Sequence, residues 1–186
     1  NAANLVLYGF SAGAIGALVH MNTFSKYPLD PDQNRILIAD APGLHFGKDF
    51  WKKFTPSLIS DYRDALRQLG VELDTENGNI ARALPNLCKR NPQWNFAVLQ
   101  GSQDLVMSTI FGEISTKDHE ALAYGPDGIY ELSKDPTDNC SAWVPQTKMH
   151  TFLVTDSTAH IRSENGKSAL EYARDEILGK GGISYR

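Results

Sequence analysis

The chain has 186 residues, 18 Lys plus Arg against 22 Asp plus Glu, and a formal net charge of −4. That length supports one domain with a sizeable core. The mild acidity without any basic block argues against nucleic acid or an anionic membrane surface as partner, and no apolar run reaches the roughly 20 residues of a membrane span.

Leu5–Tyr8 is a short apolar run of the kind a buried parallel strand requires. Gly9-Phe10-Ser11-Ala12-Gly13 follows and fits G-x-S-x-G, and Ala14–Met21 has helical composition. Strand, G-x-S-x-G turn and helix together describe a nucleophile elbow. The serine hydroxyl then projects from a strained turn at the carboxyl edge of a sheet, and the Ala12 N–H faces an oxyanion. Glycine suits positions 9 and 13 if a Cβ there would crowd the turn or the strand–helix contact. The alternative is a serine that merely caps the helix.

Tyr27–Asp32 reads as a Pro/Asp turn. Arg35–Ala39 is a second buried strand, which leaves Asp40 at its carboxyl end. His45–Phe54 is rich in aromatic residues and reads as packing, with His45 lining a cleft. Thr55 caps a helix that has Pro56 at its first position. Leu58, Ile59, Tyr62, Ala65, Leu66 and Leu69 repeat at helical spacing, and Gly70 ends it. A weaker helical piece spans Ile80–Lys89, interrupted by Pro85. Together these form a helical, cap-like insertion at about 44–92.

Asn95–Gln100 is a third strand, with Asp104 shortly beyond it and a helix expected over Val106–Ile114. Residues 115–145 are polar and rich in Gly, Pro and Asp, and read as an irregular excursion. Met149–Thr155 is a fourth strand, followed by the loop Asp156–His160. Ser163 caps the last helix, where Ala169, Leu170, Ala173 and Ile177 form an apolar stripe that stops at Gly179. Strand–helix alternation predicts an α/β fold with a parallel sheet. In a hydrolase-like three-layer sheet the nucleophile strand is central. Further strands are therefore expected upstream of Asn1, the chain being the C-terminal part of a larger domain and its own strand edge being exposed when alone.

A serine hydroxyl needs a base within hydrogen-bond reach and a carboxylate to orient that base. The expected chain order is Ser, acid, His, each in a loop after a strand. His20 lies on the elbow helix, His119 has no strand before it, and His150 enters the fourth strand at the wrong end of the sheet. His160 follows that strand and is the expected base. Asp104 is preferred as the acid, with Asp40 the alternative. A second oxyanion donor is expected from a loop upstream of the sequence. No metal-ligand spacing occurs, and no cofactor is implied. Cys88 and Cys140 fit either one disulfide or two buried thiols, and Asn139-Cys140-Ser141 matches a glycosylation sequon.

Four stretches, Gly9–Gly16, Ile36–Gly43, Phe96–Asp104 and Thr151–His160, together resemble the pectin acetylesterase / Notum family. The resemblance implies an α/β-hydrolase-like serine carboxylesterase with Ser11, Asp104 and His160 as its triad and no cofactor. It implies a small acyl ester or an acetylated polysaccharide as substrate, and a secreted or periplasmic location. Phe10, Asp40 and His45 are the expected substrate-binding residues. The rival expectations are a lipase- or peptidase-like hydrolase with the same triad, and a hydrolase-fold binding module that has lost catalysis.

Overall fold

A computed structural model describes residues 4–28, 34–76, 78–134 and 139–186. Most of the turn expected over Tyr27–Asp32 lies outside the described residues. Four strands, β1 (Asn4–Phe10), β2 (Asn34–Asp40), β3 (Trp94–Leu99) and β4 (Cys140–Trp143), form one all-parallel sheet in the order β1-β2-β3-β4. The architecture is α/β.

Side chains alternate across the sheet, as strand geometry dictates. Leu37, Ala39, Phe96, Val98, Cys140 and Ala142 face one apolar cluster. Ile36, Ile38, Ala97, Leu99 and Trp143 face the other. The first face is covered by α1 (Ala12–Ser25), α2 (Pro56–Gln68), α3 (Leu84–Arg90) and the aromatic segment around Phe50 and Trp51. The second is covered by α7 (Ala169–Ile177), with Phe152 beneath Trp143. Between β3 and α7 lie α4 (Thr116–Ala123), α5 (Ile129–Leu132) and α6 (Asp156–Ala159).

Local chemistry explains most element boundaries. The Thr55 side chain accepts the Leu58 N–H, with Pro56 opening α2, and Gly70 takes φ +76° beyond its end. Pro85 sits in the first turn of α3, where its missing N–H costs nothing, so it opens this helix rather than interrupting one. Ser168, not Ser163, caps α7. It forms a reciprocal capping box with Glu171.

The fourth strand is a correction. Residues 149–155 form no strand; β4 is Cys140–Trp143, within the stretch read as irregular. Thr151 takes φ +67°, and the Phe152 and Leu153 amides bond to the Asp40 carboxylate instead of a neighbouring strand. The helix expected over Val106–Ile114 is a short π-helical turn, Val106–Ile110. Cys88, in the last turn of α3, and Cys140, at the start of β4, form a disulfide with Cα atoms 6.0 Å apart. The outer edge of β4 pairs with the tail, where Val144 N–H donates to Tyr185 and Tyr185 N–H to Ala142. The outer edge of β1 has no strand beside it among the described residues, and Val6, Tyr8 and Phe10 are exposed there.

Candidate active site

The site forms at the carboxyl end of the sheet, where three loops converge on the elbow. Ser11 takes φ 54° and ψ −132°, between the end of β1 and the start of α1. Its N–H donates to the Asp40 carbonyl at 2.8 Å, which ties the elbow to the end of β2. The close approach explains Gly9: a Cβ there would lie 2.2 Å from the Gly13 carbonyl oxygen. Gly13 is different. A Cβ at Gly13 would meet nothing within 4 Å, so crowding does not require glycine there.

Ser11 precedes α1 but its side chain makes no capping bond. Its Oγ instead lies 2.8 Å from His150 Nε2. His150 Nδ1 lies 2.8 Å from Asp104 Oδ2. Asp104 is fully buried, the His150 side chain is 16% exposed, and Ser11 is half-buried, so the row runs from the interior toward solvent.

Asp104 is tightly held. Oδ1 accepts the Val106 and Met107 amides, both at 3.0 Å, and Oδ2 accepts Gln100 Nε2 at 2.9 Å in addition to His150. Gln100 is itself fixed, because Oε1 accepts the Gly43 N–H at 2.7 Å. A neutral His150 in this frame carries its proton on Nδ1, toward Asp104, and leaves Nε2 free to accept from the serine.

The structure brings together Ser11 and Asp104 as expected, but the histidine is His150. His160 is exposed at the end of α6 and its expected place is occupied. The reason is the strand assignment. Because β4 ends at Trp143, His150 lies in the loop after the last strand rather than at its entry. With Cys140–Trp143 as the last strand, His150 takes the expected place, but that run carries no local strand signal in the sequence.

Two expected substrate-binding residues are elsewhere. His45 is fully buried; its Nδ1 bonds Asn79 Oδ1 at 2.8 Å, and Nε2 accepts the Ile129 N–H at 3.2 Å. It faces His119 edge-on, which bonds the Ser102 carbonyl. Burial, with His119 adding to it, pushes the His45 pKa down to about 3, and burial lowers His119 as well. Asp40 is also fully buried and turned toward the loop behind His150. Burial raises its pKa despite the donors around it. Phe10 is exposed near the elbow and stacks on Tyr8. The Ala12 N–H belongs to the first turn of α1, where amides have no intrahelical acceptor.

An apolar cavity of about 110 Å³ has Ala12 among its lining residues. Leu44, Phe50, Met107 and Phe111 help to line it. No cluster of three or more His, Cys, Asp or Glu residues suited to a metal ion occurs among the described residues. No helix among them is long and apolar enough to cross a membrane. Comparison with protein-family models, with curated proteins and with solved structures found no match.

Proposed function

We propose that the chain is a serine hydrolase acting on carboxylic esters. One observation carries this reading: Ser11 Oγ, His150 and Asp104 form an unbroken relay with both links at 2.8 Å. The strained Ser11 backbone and its missing capping bond support it, since both leave the hydroxyl directed at a base rather than at the helix. Ser11 Oγ attacks the ester carbonyl as His150 Nε2 takes its proton. Asp104 keeps the other nitrogen protonated and stabilises the imidazolium. The Ala12 N–H stabilises the developing oxyanion. His150 then protonates the leaving alcohol, and water regenerates Ser11 from the acyl-enzyme.

The resemblance noted in the sequence favours a small acyl group, acetyl on a polysaccharide. A second reading, a lipase-like preference for a longer hydrocarbon acyl chain, is favoured by the apolar cavity that Ala12, the residue after Ser11, helps to line. The disulfide fits an oxidising compartment.

The test is intact-mass labelling with a fluorophosphonate. One adduct is expected on the wild-type chain and none on Ser11→Ala. His150→Ala should slow labelling on the order of 10³-fold or more, while His160→Ala labels at the wild-type rate. The opposite result for the two histidines overturns the relay, and no adduct on folded wild type overturns the reading as a whole, leaving a binding module. Rates on p-nitrophenyl acetate, butyrate and octanoate then separate the two acyl readings.

A further inference from the structure

We propose that Asp40 is a positioning residue for His150: its carboxylate grips the loop that carries the imidazole and keeps Nε2 on Ser11. The proposal rests on reading Ser11, His150 and Asp104 as a working triad. Asp40 ends β2 and is fully buried. Both carboxylate oxygens lie 2.9 Å from the Phe152 N–H, and Oδ2 also accepts from the Leu153 N–H at 2.9 Å and the Tyr8 hydroxyl at 3.2 Å. Its main-chain carbonyl accepts the Ser11 N–H. One residue therefore fastens both halves of the pair: the backbone holds the nucleophile, and the side chain holds the segment behind the base.

That segment needs an anchor. It has no strand ladder, and Thr151, between His150 and the gripped amides, takes φ +67°. A residue other than glycine keeps such a conformation only when its surroundings impose it. Besides Asp40, Thr158 Oγ1 ties down the Phe152 carbonyl at 3.0 Å. Burial raises the Asp40 pKa above the ordinary carboxylate value, so the ionised form is the costly one in the folded chain. A purely structural acceptor in that position gains from being neutral. Two titratable groups face Asp40, Tyr8 from β1 and His150 from the loop. His150 in turn faces Ser11, Asp104 and Asp40.

The test is Asp40→Asn, which keeps the size and one acceptor oxygen but removes the charge. The rate of fluorophosphonate labelling at Ser11 should fall on the order of 10–100-fold, with the melting temperature at or above wild type. The loss should lie in the limiting inactivation rate constant rather than in the half-saturating probe concentration, because it is the placement of His150 against Ser11 that changes. Labelling of Asp40→Asn at the wild-type rate overturns the proposal while leaving the triad standing. A loss of rate that only tracks a loss of folded chain overturns it too. Should Asp40→Asn fail to fold, Tyr8→Phe decides: it removes one donor from the carboxylate and should slow labelling about 2–10-fold, and an unchanged rate overturns the proposal. Absence of labelling on wild type instead removes the triad reading and the proposal with it.

Discussion

Gly9 and Gly13 belong to the same motif but are required for different reasons. Gly9→Ala drives a Cβ into the Gly13 carbonyl, which is backbone and cannot rotate away. That variant should lose labelling at Ser11 and melt well below wild type. Gly13→Ala meets open space within α1, so it should keep the fold and gain up to about 1 kcal/mol from helix propensity. Thermal melts of the two variants check both directions. His45 and His119 make a second residue-level prediction. Both pKa values are lowered in the folded chain, so the unfolded chain binds more protons below the ordinary histidine value of about 6.5. Their stabilising contribution is complete above that pH and is lost as pH falls. His45 alone should withdraw about 2 kcal/mol between pH 7 and pH 5. Asp40 and Glu176 act in the opposite sense, because burial raises both. Their contribution is present below the unfolded carboxylate value near 4 and is lost as pH rises through their raised values. A wild-type melting temperature that falls no more steeply between pH 7 and pH 5 than that of His45→Gln, which keeps Asp40 and Glu176, would contradict the neutral histidine pair.

At the scale of elements, three strands, the elbow and α2 were legible because their signals are local: apolar runs bounded by turns, G-x-S-x-G, and a Thr-Pro helix start. β4 was not. Cys140-Ser-Ala-Trp143 carries no β-branched residue, and its one polar side chain is buried. Ser141 is satisfied by Tyr172 and Glu176, both supplied by α7, which no local pattern reveals. The segment Thr151–Thr155 has strand-like composition, yet its amides are taken by Asp40 from a distant strand end. The position of His150 is hidden for the same reason, since whether it enters or follows the last strand depends on which run is the strand. The disulfide ties α3 to β4 across 52 residues of sequence. Replacing both cysteines by serine should cost roughly 2–4 kcal/mol in denaturant unfolding, read at constant m-value. The Asn139 sequon is structural here: Nδ2 donates to the Cys88, Asn91 and Trp94 carbonyls, so the nitrogen a glycan would occupy is engaged.

For the molecule as a whole, the two sheet edges differ. The tail covers β4, whereas among the described residues no strand covers the outer edge of β1, and Val6, Tyr8 and Phe10 on that strand are exposed. An open apolar edge of this kind invites pairing with another chain. Sedimentation should therefore show concentration-dependent association, and Val6→Lys should weaken it without affecting the melting temperature by more than a few degrees. An ideal monomer at high concentration would contradict this.

The relay also has a temporal consequence. The Ser11–His150 bond joins residues 139 apart in sequence, and the Asp40 grip on Phe152 spans 112. Contacts between such distant residues close slowly, because the chain between them must be ordered before they form. Trp94, fully buried, belongs to the sheet rather than to the relay. A refolding chain thus regains its buried Trp94 before the Ser11–His150 bond, and a sample judged native by fluorescence alone still contains molecules in which Ser11 has not yet met His150.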